Sequence, residues 1–596
     1  MSEQRNMILA IVLSVAILLG FQFLYPSDPA PEQTGGTLAG SADGATGGTL
    51  PQGSGSLTPV PGQLDARAGG GAVPGAGGVV DRKAAIAAET AERIRINTPR
   101  LHGSLRLRGA RLDDLTLPDY RQTIDPTSPE IALLNPRNAA NPYFVEFGWS
   151  PEDRTVTVPT ADTLWQTNAR ELSPSSPVTL TWDNGAGLIF ERTISVDENY
   201  MFTVEQKIRN TTSAPVTLYP YGLVSRHGTP QTSGFYILHE GLIGVLDDAL
   251  KEVDYDKVQD EGSISTRSTN GGWIGITDKY WMTTLIPDQR APFEGAFRHN
   301  FNSGIDKYQA DYLASAVTVP AGGEAATTDR LFAGAKEVDL VDGYAERFQI
   351  ELFDRAIDWG WFYFLTKPVF KGISALNSLL GNLGLATIAF TFILKFLFLP
   401  LAYKSYVSMN AMKELQPEMA KLKERFGEDR QRMQQEMMAL YKKNKVNPVS
   451  GCLPILLQIP VFFSLYKVLF VTIEMRHAPF YGWIQDLSAP DPTNIFTLFG
   501  LIEWTPPELM HLGVWPLLMG LSMWLLQKMN PTPPDPVQAK IMMMLPIVFT
   551  FFLARFPAGL VLYWTTNNVL SIAQQYTIKR RMANRKAAKP APKGAG

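Results

Sequence analysis

Apolar positions follow two different periods along the chain, and the change between them divides it. Between Arg100 and Leu340 apolar and polar residues alternate. Tyr200, Phe202, Val204 and Ile208 interleave with Thr203, Glu205, Lys207 and Arg209, and Val178, Leu180 and Trp182 with Thr179 and Thr181. Successive strand side chains point to opposite faces, so a period of two marks strands with one buried face. Polar clusters such as Asp183-Asn184-Gly185 and Asn210-Thr211-Thr212 supply turns. Residues 98–350 are therefore predicted to form an antiparallel β-sandwich large enough for its own core.

From residue 355 the apolar runs lengthen. Residues 359–381 carry a helical stripe of Phe362, Leu365, Val369, Ile373, Leu376 and Leu380, with Lys371, Ser374 and Asn377 opposite and Trp361 and Tyr363 at the start. The pattern suits a helix lying in a membrane interface or one packed on a core. Five apolar segments follow as candidate spans, at about 385–402, 452–472, 512–528, 541–556 and 558–578. The third and fourth are short against the ~20 residues that a hydrocarbon core requires. Residues 1–25 hold a sixth, apolar from Met7 to Tyr25 with no A-x-A-like site behind it, which reads as an uncleaved anchor. Residues 26–97, mostly Gly, Ala, Pro, Ser and Thr, predict a flexible linker. Between the first two of the five spans, residues 403–447 step by three and four through Met412, Leu415, Met419, Leu422 and Phe426, then Met433, Met437 and Leu440. That is a helical hairpin with a coiled-coil seam, turning at Gly427-Glu428-Asp429. Its methionines serve as seam packing or as an adaptable contact for varied apolar ligands.

One residue breaks the apolar pattern. Lys395 stands in the middle of LATIAFTFILKFLFLPL, near the bilayer midplane at ~1.5 Å of rise per residue. A cation there costs ~2.5–3.5 kcal/mol on insertion scales, and no Asp or Glu lies inside any long apolar segment. Lys395 must face a wet cavity, snorkel to an interface, or await a partner from another molecule. The nearer interface is ~13 Å away, about twice the reach of a lysine stem, which favours a water-accessible site. The last apolar segment carries Thr565, Thr566, Asn567, Asn568 and Ser571. Such residues either hydrogen-bond between helices or line water.

Composition narrows the function classes. The net charge of −3 over 596 residues gives no global nucleic-acid signal. The single cysteine, Cys452, excludes an internal disulfide and a cysteine metal site. His102, His227, His239 and His299 are scattered, without catalytic or metal-ligand spacing, so the β-domain reads as a binding or scaffolding module. No nucleotide motif and no cofactor are expected. An intramembrane enzyme needs a nucleophile–base pair at depth, and Ser522 and Ser571 lack a histidine in their segments. A solute transporter would show repeated halves, and a merely tethered periplasmic chaperone would not need five helices behind it. The 403–447 hairpin has ten Lys/Arg against six Asp/Glu, and the 581–596 tail is basic without an acid, whereas the 473–511 loop has Arg476 against five acids. Positive-inside counting puts hairpin and both termini in the cytoplasm and the β-domain outside.

The runs GEDRQRMQQEMMALYKKNKVNPVSGCLPILLQIPVF, RHAPFYGWIQDLSAPDP and FPAGLVLYWTTNN resemble the YidC-type membrane protein insertases over residues 355–580, and GWIGITDKYWMTTLIP resembles their Gram-negative periplasmic domain. The resemblance implies a polytopic α-helical membrane protein with six spans, a five-helix insertase core and a periplasmic β-supersandwich. It implies an insertase and chaperone of the inner membrane, working alone or with the Sec translocon on nascent membrane proteins, with the ribosome as a further partner through hairpin and tail. The family's groove, open to cytoplasm and lipid, would be lined here by Lys395, Thr391, Gln458, Tyr563, Trp564 and Asn567. Lys395 stands where bacterial members usually carry arginine, which keeps the charge and loses the bidentate fork. Met412, Met419, Phe426, Met433 and Met437 would be the hairpin contacts.

Overall fold

The computed structural model describes residues 81–587, apart from 90–91, 235–237, 303, 427–428, 445, 447–452, 505, 508–509 and 531–535. The expected anchor at 1–25 and most of the linker lie outside the described residues. The linker's last stretch is ordered: helix α1 (Arg82–Ala87) is capped by Asp81, and a strand runs Arg93–Asn97. Ile94 and Ile96 alternate into the core, so the sandwich starts before residue 98.

Two sheets, of eleven and eight strands, face each other. In the larger, strand Val216–His227 lies between Tyr143–Pro151 and Ile305–Ala314; in the smaller, Met201–Asn210 lies between Leu188–Val196 and Glu324–Ala335. The pairing is antiparallel except where Arg93–Asn97 runs parallel to Glu171–Leu172. Phe202, Val204 and Ile208 point inward as their alternation requires. Gly185 makes its turn at φ 69°, its N–H donating to Asp183 Oδ1 at 2.8 Å. Two guanidiniums are buried in the sandwich, Arg192 between the sheets and Arg111 on the opposite face of the larger sheet, over Phe144. Arg111 pairs with Glu146, and Arg192 donates to Gln206 Oε1 at 2.9 Å and to the Phe147 carbonyl at 2.6 Å while stacking on Trp165. Burial of a charge is tolerated when such partners surround it. Helices α2 (Tyr255–Glu261) and α3 (Val338–Phe348) flank the strands.

The helical part comprises α4 (Tyr363–Leu380), α5 (Leu383–Leu397), α6 (Leu399–Glu414), α7 (Gln416–Phe426), α8 (Arg430–Lys443), α9 (Leu453–Val471), α10 (Val514–Met529), α11 (Pro536–Leu553) and α12 (Ala558–Ala587). Among the described residues no single helix is long and apolar enough to cross a membrane, while α5 and α6 pass together as a pair bent by 64°. The expected continuous 385–402 span is thus broken at Phe398, and the expected hairpin boundary at 403 falls inside α6. Pro400 explains the break. It has no N–H for the Phe396 carbonyl, and its ring crowds that carbonyl. Helix α12 runs on into the expected 581–596 tail as far as Ala587.

Residues 349–359 pack rather than hinge. Ile350, Phe353, Ala356, Ile357 and Trp359 join one buried cluster that runs from the sandwich to Phe370, Leu465, Leu469 and Tyr563. Polar ties reinforce it: Lys467 to Asp358 at 2.8 Å, Trp273 Nε1 to the Glu351 carbonyl at 3.1 Å, and Arg476 to the Arg121 carbonyl at 2.5 Å. Helix α4 buries Val369, Phe370 and Ile373 in that cluster, as the core-packed alternative requires, and leaves Tyr363, Phe364 and Leu379 exposed.

Candidate functional site

Six chain segments build one cavity. Asn382 starts α5 by accepting the Leu385 N–H at 3.0 Å and ties it to the loop between α9 and α10 through the Pro479 carbonyl. Asp491, buried in that loop, accepts the Trp515 N–H at 2.8 Å and the Trp483 indole N–H at 3.1 Å, which caps α10. Ile484 and Leu487 of the loop pack on Ala558 and Leu562, and Leu487 and Ala489 accept the Gly559 and Ala558 N–H groups at 3.0 and 2.7 Å. This loop covers the N-terminal end of α12. Behind it, α5, α6, α9, α10, α11 and α12 enclose about 460 Å³.

Lys395, Thr391, Gln458, Tyr563, Trp564 and Asn567 all line this cavity. Lys395 Nζ donates to Ser571 Oγ at 2.8 Å, and the Ser571 hydroxyl donates to the Asn567 carbonyl at 2.8 Å. Gln458 Nε2 donates to Asn567 Oδ1 at 2.6 Å, and Gln574 Nε2 to the Lys395 carbonyl at 3.2 Å. No carboxylate lies among the described residues lining the cavity. Part of the cost of the cation is met by the helix break. Pro400 ends α5 just past Lys395, which places the ammonium in the last turn, where the helix dipole favours positive charge. Thr391 is spent differently: its hydroxyl donates to the Thr387 carbonyl at 2.7 Å, leaving oxygen lone pairs toward the space. Trp564 meets Phe462 edge-on at 4.6 Å and contributes an apolar wall.

The wall also contains residues that sequence reasoning passed over. Ser405, Tyr406 and Met409 come from α6 beyond the bend, Gln527 and Asn530 from the C-terminal end of α10, and Gln575 from the middle of α12. Gln575 Nε2 donates to Asn530 Oδ1 at 3.1 Å, and Asn568 Nδ2 to Ser522 Oγ at 3.1 Å. Glutamines one turn past Ser571 were the available signal, lost because they sit at the edge of the apolar run. On the outside of the same helices Phe392, Ile393, Phe396 and Leu397 of α5 and Ile547, Val548 and Phe552 of α11 are exposed.

The hairpin forms a separate compact unit. Leu415, Met419 and Tyr441 are its buried centre, with Met412, Met437, Leu440 and Val446 against them. Leu422, Phe426 and Met433 lie outside this cluster, a correction to the expected seam. Leu415 interrupts the helix between α6 and α7, yet Met412, Leu415 and Met419 keep their spacing across it; the half of the seam nearest the turn is what the cluster lacks. Phe426 instead lies near the Arg425 and Arg432 guanidiniums.

Comparison with known proteins meets this geometry from outside. The family model of the YidC periplasmic domain matches residues 93–372, and that of the 60Kd inner membrane protein matches residues 375–586. The chain is 51% identical to the membrane protein insertase YidC of Methylorubrum extorquens (strain PA1), over 97% of this chain and 96% of that one. It is 50% identical to the YidC insertase of Bradyrhizobium diazoefficiens, over 98% and 97%. Among solved structures it is similar to the crystal structure of an active YidC insertase with its first transmembrane domain resolved, at 18% identity and a TM-score of 0.35, covering 81% of this chain and 92% of that one. With both halves matched in order and the relatives matched nearly end to end, this chain belongs to the YidC family of membrane protein insertases.

Proposed function

We propose that the chain inserts and chaperones inner-membrane proteins by offering the cavity as a hydrated slot that shortens the hydrophobic crossing. Lys395 inside that cavity, with no carboxylate among the described residues lining it, carries the reading. An acidic extracytoplasmic segment of a substrate enters toward the ammonium, while its apolar segment moves along the exposed faces of α5 and α11 into lipid. Burial of that segment supplies the driving force, about 25 cal/mol per Å² of apolar surface, and the membrane potential acts on charged parts. The serine and amide side chains keep the slot wet. Six spans with both termini cytoplasmic, the bent α5–α6 pair giving the second, agree with the positive-inside counts. The basic hairpin and tail would meet nascent chains, the Sec translocon and the ribosome on the cytoplasmic side.

Purified protein in liposomes, given a single-span substrate with an acidic outer tail, tests the reading by protease protection. Wild type is expected to insert the substrate, and Lys395→Ala to insert it poorly unless the tail acids are neutralised. Equal insertion by both would refute the electrostatic role. Failure of wild type would remove autonomous insertion.

A further inference from the structure

The outer loop between α9 and α10 contains a feature that neither the cavity nor the loop's packing uses. At Ile495–Gly500 the chain turns tightly, with Asn494 Oδ1 accepting the Phe496 N–H at 3.0 Å and the Ile495 N–H donating to the Leu512 carbonyl at 3.1 Å. Two bulky residues within the turn are left-handed: Leu498 at φ 46°, ψ 48° and Phe499 at φ 59°, ψ 33°. Side chains with a Cβ pay for this region in steric energy, and such strain persists only where the surroundings hold it. The fold gains no burial in return. Leu498, Phe499 and Leu501 are 52%, 62% and 84% exposed, and Ile502 and Trp504 are also exposed. Five large apolar side chains are thus displayed within seven residues by a backbone bent to display them. Water is a poor neighbour for such a patch, and single exposed leucines are ordinary whereas contiguous ones call for an occupant.

The neighbourhood names the occupant. The turn is tied by backbone hydrogen bonding to Leu512, two residues before α10, and α10 exposes Leu517, Leu518, Leu521, Trp524 and Leu525. The apolar belt of that helix therefore continues into the loop. Trp504 is the side chain most enriched at the level where hydrocarbon meets headgroups. Glu503 within the patch is exposed, and its charge holds the loop at that level rather than deeper. We propose that residues 498–504 form a membrane-seated foot, inserted into the outer leaflet at the headgroup–acyl boundary. It anchors the loop that closes the outer end of the cavity. The inference rests on the reading that α10 spans the membrane and that the 473–511 loop is extracytoplasmic.

The test uses the full-length chain reconstituted in liposomes, with Cys452→Ser providing a cysteine-free background. An environment-sensitive fluorophore is placed at Leu501→Cys, a position too exposed to contribute packing, and separately at Ile502→Cys. Nitroxide lipids labelled shallow or deep in the acyl chain, and aqueous iodide, are the quenchers. A foot seated roughly 5–10 Å into the boundary gives stronger quenching by the shallow nitroxide than by the deep one, and weak quenching by iodide. Strong iodide quenching without nitroxide quenching overturns the proposal, and so does shielding from both, which would mean a protein occupant. Leu521→Cys on α10 separates the two levels of argument. If position 521 is quenched by lipid and 501 is not, the foot alone fails; if neither is quenched, the spanning reading fails with it.

Discussion

Ser571 is the residue on which the state of Lys395 turns. Its hydroxyl accepts from the ammonium and donates to the Asn567 carbonyl, so it fixes where the cation points. Ser571→Ala should lower insertion of acidic-tailed substrates less than Lys395→Ala does, and Ser571→Thr should restore it. A hydrogen bond to a charged group is worth about 1.5–3 kcal/mol, so the alanine variant should also melt earlier in detergent. Glu474, just past α9, carries a second prediction. Its Oε1 accepts the Val338 N–H at 3.1 Å, its Oε2 is buried without a hydrogen-bond partner, and burial pushes its carboxyl up from the ordinary 4.5 to about 7. The folded state then holds more protons than the unfolded one between those values. Its stability is full below about pH 4.5 and falls as pH rises through 7. Thermal unfolding at pH 5 and pH 8 should show wild type losing more stability across the interval than Glu474→Gln. Lys395 itself was legible from sequence because a lone cation stands out in the middle of an apolar run, too far from either end for a lysine stem to snorkel. Its serine partner lies 176 residues away, and no local pattern encodes that pairing.

At the scale of elements, close approach decides more than hydropathy. A Cβ on Gly520 would land on the hydroxyl of Thr550, which is itself held by the Pro546 carbonyl at 2.7 Å. Gly520→Ala gains about 1 kcal/mol of helix propensity but forces α10 from α11, at a typical overpacking cost of 1–3 kcal/mol. The clash should win, and the variant should melt earlier. Adding Thr550→Ala should recover most of the loss, a coupling that a double-mutant cycle reads directly. The strands were readable because their alternation is local, and Phe202, Val204 and Ile208 face inward as expected. The bend at Phe398 was not read, although Pro400 announces it, because an unbroken apolar run masks a change of direction. The seam of the hairpin was half read: Met419 packs at its centre with Met412 and Met437 against it, but Tyr441 also fills it, and Leu422, Phe426 and Met433 nearer the turn do not.

At the scale of the molecule, the segment between sandwich and helices looked like a boundary because its sequence changes character there. Its apolar residues instead face both sides at once, and only three-dimensional packing reveals which surfaces they join. Asp358→Ala removes one partner of Lys467 at this junction. Limited proteolysis should then cut within residues 349–362 faster than in wild type, with the sandwich itself still resistant.

The shared core has a thermodynamic corollary. Where apolar side chains from two modules interlock, neither can melt without exposing the surface of the other, so heat should find one cooperative transition in the sandwich and the helices that share the cluster, rather than two. Excising the sandwich at residue 350 would strand Phe353, Ile357 and Trp359 against water. A shortened version of this protein would therefore need those side chains made polar before it stayed soluble in detergent. The outer domain could be lost only together with a repainting of the surface beneath it.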